Sequence, residues 1–228
     1  MPPPRKPSLG FTLAEVLITL GIIGVVAVLT ISHLVTNYQK QVTVTKLKAA
    51  YQLFSEAIEN AKLNFGDPIE IPHDIVLSHA GFSPLSDEIL ERYINPYIIG
   101  VEKYKGRMVR INNTAKDRAF AVNDYSHMYC IPQKEICYDI YNHSTNYRYL
   151  FIDINGPKGP NSMGRDCFIF DLSPAQKAPT YVITGLAPID KDEDSYCNKI
   201  SNNNIWNGTS CAAKIILNSW KMPDDYPW

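Results

Sequence analysis

The stretch "GFTLAEVLITLGIIGVVAVLTISHLV", residues 10–35, places one carboxylate at the edge of a run that is apolar enough to cross a membrane. Residues 16–35 contain no formally charged side chain. At about 1.5 Å per residue, a helix of this length spans the roughly 30 Å hydrocarbon core of a bilayer. Glu15 stands immediately before the run. An ionised side chain at bilayer depth is costly and usually functional, so its position calls for a specific explanation.

The order of residues around the apolar run differs from that of a secretory signal peptide. A secretory signal has a shorter apolar region, of about 7 to 15 residues, followed by small residues at the cleavage site. Here the small residue, Gly10, precedes the run and directly follows the basic leader "MPPPRKPSL". The order is reversed, which argues against an ordinary secretory signal.

The residues G-F-T-L-A-E at 10–15, with the apolar run behind them, resemble the class III signal of type IV prepilins and type II secretion pseudopilins. In that family a prepilin peptidase in the membrane cuts after the glycine and methylates the new N-terminal residue. The resemblance implies cleavage between Gly10 and Phe11, N-methylation of Phe11, and a characteristic acid at Glu15. The alternative is that Glu15 is a snorkelling acid on an ordinary membrane anchor.

The family role of the acid has a physical basis. Cleavage creates an ammonium at Phe11, and a neighbouring subunit's ammonium can pair with Glu15 when subunits stack. Since an unpaired charge in an apolar filament core is costly, this pairing would set the axial register of the subunits.

The same helix is expected to continue beyond the membrane segment as an amphipathic helix. Apolar positions recur at intervals of three and four residues, which predicts one buried face. Gly66 and Pro68 are expected to end the helix. The predicted organisation is a leader at 1–10, a membrane and assembly helix at 11–36, its amphipathic continuation at 37–66, and an exported domain at 67–228. The apolar positions are Leu47, Ala50, Tyr51, Phe54, Ala57, Ile58 and Ala61.

The rest of the chain contains a series of strand-like segments, which predicts an α+β fold with a long N-terminal helix on an antiparallel sheet. A short helix is expected over 87–94. The final segment "CAAKIILNSWKM" could be a short helix or a last strand. The predicted strands are residues 107–112, 119–124, 135–141, 147–154, 166–172 and 180–185. This arrangement agrees with the pilin fold that the resemblance implies.

The five cysteines contain no C-x-x-C pair and no spacing typical of a zinc site. Two local pairs, Cys130 with Cys137 and Cys197 with Cys211, predict disulfides if the domain is exported, and Cys167 is then left free and buried. Five reduced core thiols are the alternative. The segment between Cys197 and Cys211 also resembles the disulfide-bounded C-terminal loop of many type IV pilins.

The loop "DINGPKGPNSMGRD", residues 153–166, lies between two predicted strands and is rich in turn-forming residues. Similar loops occur in pseudopilin-like proteins, and some pseudopilins bind calcium near this part of the fold. Asp153, Asn155, Asn161 and Asp166 offer the oxygen ligands that a hard cation takes, although the EF-hand spacing is broken after Asn155. A hydrogen-bonded hairpin connection is the favoured alternative to a calcium site.

Composition and motifs argue against two classes of function, nucleic-acid binding and catalysis. The formal net charge is -1, which gives no field for attracting nucleic acid, and no nucleic-acid partner is expected. The sequence has no H-E-x-x-H, G-x-S-x-G or P-loop motif, so we predict that the protein is not an enzyme.

The resemblance implies a major or minor structural subunit of a type II secretion pseudopilus or a type IV pilus. Its expected partners are the prepilin peptidase, other pilin or pseudopilin subunits, an inner-membrane assembly platform and the membrane itself. The expected location is the bacterial inner membrane, crossed once with the C-terminal domain outside the cytoplasm, and a filament after assembly. A membrane-anchored display protein that binds a ligand or surface is the alternative.

Overall fold

The computed structural model describes residues 10–71, 84–105, 127–143, 147–158, 162–173, 182–189, 196–197 and 208–228. Its contacts divide the chain into two units, Met1–Lys40 and Gln41–Trp228. The first helix, α1, runs over Leu13–Phe65. It contains an 18-residue window that is long and apolar enough to span a membrane, and none of that window is buried in the structure.

The later part of α1 is amphipathic, as predicted from its spacing. Buried positions recur on one face, from Leu47 through Phe54 to Ala61, and all three side chains are fully buried. The helix ends at Phe65, and Gly66 follows with a φ of 94° while its N–H bonds to the Lys62 carbonyl (2.8 Å). This is the left-handed glycine that commonly closes an α-helix, so the predicted end is confirmed.

The remaining elements of the second unit form an antiparallel α+β domain. In the part of the chain that the structure describes, six strands pair in the order β2-β3-β4-β5-β6-β8, and a separate two-stranded sheet pairs β1 with β7. The strands are β1 (Ile69–Glu70), β2 (Glu102–Lys105), β3 (His127–Ile131), β4 (Ile136–His143), β5 (Tyr147–Asp153), β6 (Cys167–Asp171), β7 (Val182–Ile183) and β8 (Ala187–Pro188). Among the described residues, the short α-helices are α2 (Pro84–Ile89), extended by a π-helical turn at Leu90–Ile94, and α3 (Cys211–Leu217).

The α+β prediction is confirmed, and so are four of the predicted strands, which appear as β4, β5, β6 and β7. The expected helix over 87–94 corresponds to α2 and its π-helical turn, and the C-terminal segment that was open between helix and strand is the helix α3. The predicted strands at 107–112 and 119–124 lie outside the described residues. Strands β1, β2, β3 and β8 were not predicted.

One face of the large sheet packs against the second part of α1. The alternation of β4 places Ile136, Tyr138 and Ile140 in the same core as the buried face of the helix. The Phe54 ring meets the Tyr138 ring edge-on, with centroids 4.7 Å apart. Since both rings are buried, this contact combines a large apolar area with a favourable aromatic geometry.

Replacing Phe54 by alanine should lower the free energy of unfolding by about 3 to 5 kcal/mol, because a buried ring is lost and a cavity is left. Chemical denaturation of the detergent-solubilised protein, followed by tryptophan fluorescence, measures the change. Leu63→Ala on the same helix is the control, since Leu63 is 83% exposed and should change stability by less than about 0.5 kcal/mol. Equal effects of the two changes would contradict the packing described.

Candidate functional site

The carboxylate of Glu15 closes the first turn of α1. Both the backbone N–H and the hydroxyl of Thr12 donate to Glu15 Oε2, each at 2.8 Å. In return, the Glu15 N–H donates to Thr12 Oγ1 at 3.3 Å. Thr12 precedes the first helical residue, and Glu15 lies three positions later, so the pair forms a reciprocal capping box. It satisfies N–H groups that a helix start leaves without partners.

This cap gives Glu15 a local role in addition to the predicted pairing with a neighbouring subunit. The signal was present as T-x-x-E directly before an apolar run, the usual sign of a helix start. The three hydrogen bonds involve only atoms of Thr12 and Glu15, which lie downstream of the Gly10–Phe11 bond. The cap is therefore compatible with cleavage of that bond. Phe11 itself is 88% exposed, and nothing lies within 4 Å of the position that a Gly10 Cβ would occupy.

The second candidate site is the loop between β5 and β6. The structure brings Asp153, Asn155 and Asp166 together, and Asn161 lies outside the described residues. The Asn155 N–H donates to Asp153 Oδ1 (2.8 Å), and Asn155 Nδ2 donates to Asp166 Oδ2 (3.1 Å). The Ser162 N–H donates to Asp166 Oδ1. Three of the four carboxylate oxygens thus accept hydrogen bonds from the loop's own N–H groups, as in a hydrogen-bonded hairpin connection.

Two oxygens of this loop are left over. Asp153 Oδ2 and Asn155 Oδ1 are buried and have no hydrogen-bond partner among the described residues. Burial raises the pKa of Asp153 to about 7, and the nearby Asp166 carboxylate adds to the shift, while the N–H groups of Asn155 and Gly156 oppose it. Two orphaned acceptors beside a second carboxylate are what a cation would satisfy. Within the described ranges, however, no group of three or more His, Cys, Asp or Glu side chains could hold a metal ion.

The loop is fixed on one side by a small ion-pair network. Glu135, in the turn between β3 and β4, bonds to Lys46 of α1 (3.0 Å) and to Lys158 of the loop (2.7 Å). These two lysines hold the pKa of Glu135 at about 2. All three side chains are partly exposed, so the network orients the loop more than it stabilises the fold.

On its other side the loop packs against the C-terminal segment. A Cβ on Gly164 would lie 2.7 Å from Cys211 Sγ, and a Cβ on Gly208 would lie 2.5 Å from Met163 Cβ. Both glycines also have positive φ angles, 81° and 97°. The Tyr226 hydroxyl donates to the Gly164 carbonyl. Only glycine permits this close approach, so the loop and the C-terminal segment form one packed unit.

The predicted disulfides are both present. Cys130 joins Cys137 across β3 and β4, and Cys197 joins Cys211 at the start of α3. Cys167 is free and buried, as expected. Burial raises the pKa of the Cys167 thiol, and the carboxylates of Asp153 and Asp166 raise it further. A buried thiol with a raised pKa is a poor nucleophile, and Cys167 packs in an apolar cluster with Phe151 and Ile169.

Comparison with known families identifies the class of the protein. Residues 5–31 match the prokaryotic N-terminal methylation motif, the prepilin-type signal of type IV pilins and pseudopilins. With the long apolar helix and the antiparallel sheet domain, this match supports a type IV pilin-like precursor. The chain belongs to a family of unknown function (DUF6613), which it matches over residues 33–228. The search of curated proteins and the search of solved structures each found no match.

Proposed function

We propose that this protein is a structural subunit of a type IV pilus or a type II secretion pseudopilus and has no enzymatic activity. The observation that carries the proposal is the match to the methylation motif at 5–31, directly on a helix that can span a membrane. The Glu15 carboxylate at the start of that helix, already bonded through one oxygen, adds support.

In the proposed mechanism, a prepilin peptidase cuts between Gly10 and Phe11 and methylates the new amine. Before assembly, the mature chain remains in the bacterial inner membrane with its C-terminal domain outside the cytoplasm. An assembly platform then stacks it with other pilin-like subunits. Glu15 Oε1 accepts no hydrogen bond from the described residues, and in the filament it would pair with the Phe11 ammonium of a neighbour. Because an unpaired charge in an apolar core costs several kcal/mol, this pairing would select one register.

The proposed cleavage after Gly10 can be tested directly. Intact-mass measurement of the mature protein should show that ten residues have been removed and one methyl group added, since cleavage follows Gly10. Gly10→Leu should block cleavage, because the new side chain occupies the position next to the scissile bond. A leader that is retained in cells with an active prepilin peptidase would contradict the proposal.

The capping box permits a sharp test of the acid at Glu15. Glu15→Gln keeps a side chain that can cap the helix but removes the charge, whereas Glu15→Leu removes both. If the ion pair drives assembly, both changes should abolish it, and Glu15→Asp should give an intermediate amount of filament. The measurement is the ratio of sheared filament protein to membrane-associated protein.

Thr12→Val is the matched control, because it removes the hydroxyl from the cap and leaves the charge in place. It should assemble far better than Glu15→Gln. Assembly of Glu15→Gln at the wild-type level would mean that the charge is not needed for assembly and that the acid only caps the helix. Absence of filaments from the wild-type protein as well would favour the membrane-anchored display protein. Loss of membrane insertion in the Glu15→Gln variant would point to a folding defect.

We also infer that the loop at 153–166 binds calcium through Asp153, Asn155, Asn161 and Asp166. The orphaned oxygens of Asp153 and Asn155 support this inference. Calcium at a hundred times its dissociation constant should add about 2.7 kcal/mol to the free energy of unfolding. Melting of the purified protein with calcium and with chelator measures the shift. Asp153→Asn should remove it, and Lys158→Ala, which alters the same loop without removing a ligand, should keep it. An unchanged melting midpoint of the wild-type protein would contradict calcium binding, and the loop would then be a hydrogen-bonded hairpin connection.

A further inference from the structure

The polar side chains of the apolar part of α1 lie almost entirely on one side of the helix. An α-helix turns by about 100° per residue, so His33, which is 18 residues after Glu15, completes about five turns and faces the same way. The two side chains are then about 27 Å apart along the axis. We call the hydrogen-bonding side chains between residues 12 and 37 that lie within about 60° of Glu15 the polar stripe. Its members are Glu15, Thr12, Thr19, Thr30, His33, Thr36 and Asn37.

Most of the polar stripe is satisfied within its own helix. The hydroxyls of Thr19, Thr30 and Thr36 donate to backbone carbonyls three or four residues earlier. Such threonine hydroxyls need no hydrogen-bond acceptor on a neighbouring helix. The groups with spare capacity stand at the two ends of the polar stripe, at Glu15 and at His33 with Asn37.

The far end of the polar stripe is a linked pair. Asn37 Nδ2 lies 3.0 Å from His33 Nε2. An amide nitrogen can only donate, so the imidazole accepts through Nε2 and carries its proton on Nδ1. This leaves the Nδ1–H of His33 as a donor and Asn37 Oδ1 as an acceptor, with no partner for either among the residues that the structure describes. Polar side chains in or near a bilayer are expected to find partners on neighbouring helices.

The opposite side of the helix has a different composition. Gly21, Gly24 and Ala27 all lie more than about 110° from Glu15, and their neighbours on that side are branched aliphatic residues. Small residues can also bring membrane helices together through close packing. The two sides therefore predict different helix contacts, and an experiment can separate them.

We propose that the polar stripe is the face through which this helix contacts a second copy of the chain, and that His33 and Asn37 form the second polar contact of that interface. A second copy fits because parallel copies in one membrane bring the same end of each polar stripe together. There the Nδ1–H donor of His33 on one helix can meet the Asn37 Oδ1 acceptor on the other, and apolar side chains such as Val26 lie between this end and Glu15. The inference rests on the proposed function as a self-assembling membrane subunit, and it adds the face and a contact that the N-terminal signal does not contain.

Cysteine cross-linking tests which face is used. Val26→Cys places a thiol about 20° from Glu15, and Val28→Cys places one about 140° away, on the side of the small residues. The native cysteines do not interfere, because four are in disulfides and Cys167 is buried. Oxidation of membranes from cells that make the full chain and a prepilin peptidase, but no other pilin-like protein, should link Val26→Cys into dimers and leave Val28→Cys largely monomeric.

An exchange of neighbouring residues tests the His33 contact. The double variant His33→Leu, Leu34→His keeps the composition and turns the imidazole by about 100°, away from the polar stripe. In the Val26→Cys background it should lower the cross-linked fraction about threefold to tenfold, the range expected for one hydrogen bond between membrane helices. Asn37→Leu is the second variant and should act in the same direction. Leader removal and membrane content should be unchanged in each.

The outcomes separate this inference from the proposed function. Cross-linking that is equal at both cysteines, stronger at Val28→Cys, or absent from both would overturn the assignment of the face. Cross-linking at Val26→Cys that is unaffected by the exchange and by Asn37→Leu would overturn the role of His33 and Asn37. If the wild-type chain forms no filament in cells with the complete machinery while Val26→Cys still cross-links, the proposed function fails and the interface stands.

Discussion

A single helix has to meet two different physical demands, and the rest of the structure depends on how α1 meets them. Its first part offers hydrocarbon side chains on nearly all sides, as a segment in lipid requires. Its later part buries one face, from Leu47 to Ala61, and leaves charged residues on the other. The change from one pattern to the other takes place without a break in the helix, which runs unbroken over Leu13–Phe65. The sheet domain is built around the buried face of this later part.

The sheet carries a second constraint, set by register. Cys130 lies opposite Cys137, Cys137 opposite Asp153, and Asp153 opposite Cys167, so these four residues form one row on the same face of β3 to β6. The two cross-strand neighbours of Asp153, Cys137 and Cys167, belong to an apolar cluster of the core, which explains why burial dominates its raised pKa. The Cys130–Cys137 disulfide fixes the register of the first pair in the row. A one-residue slip of a strand would turn its side chain in the row to the other face of the sheet.

The sequence was most informative where interactions are local. The apolar run, the buried face around Phe54, the closing Gly66 and the two near-neighbour disulfides each depend on residues close together in the chain, and each is found in the structure. The position of Asp153 in a row of cysteines depends on the pairing of four strands, which no local pattern specifies. Strand β2, with the sequence EKYK, was missed because its charged residues resemble a loop, although charges are common on an edge strand.

The two roles assigned to Glu15 are compatible because a carboxylate has two oxygens. Oε2 takes both donors of Thr12, which fixes the side chain at the helix start. A carboxylate held in this way loses little further side-chain entropy when a neighbour's ammonium approaches Oε1. It also still carries its full charge, so the hydrogen bonds to Thr12 reduce the cost of the unassembled state without removing the need for a cation. The cap would therefore prepare the acid for a partner, and a subunit could stay in the membrane with this carboxylate partly satisfied until one arrives.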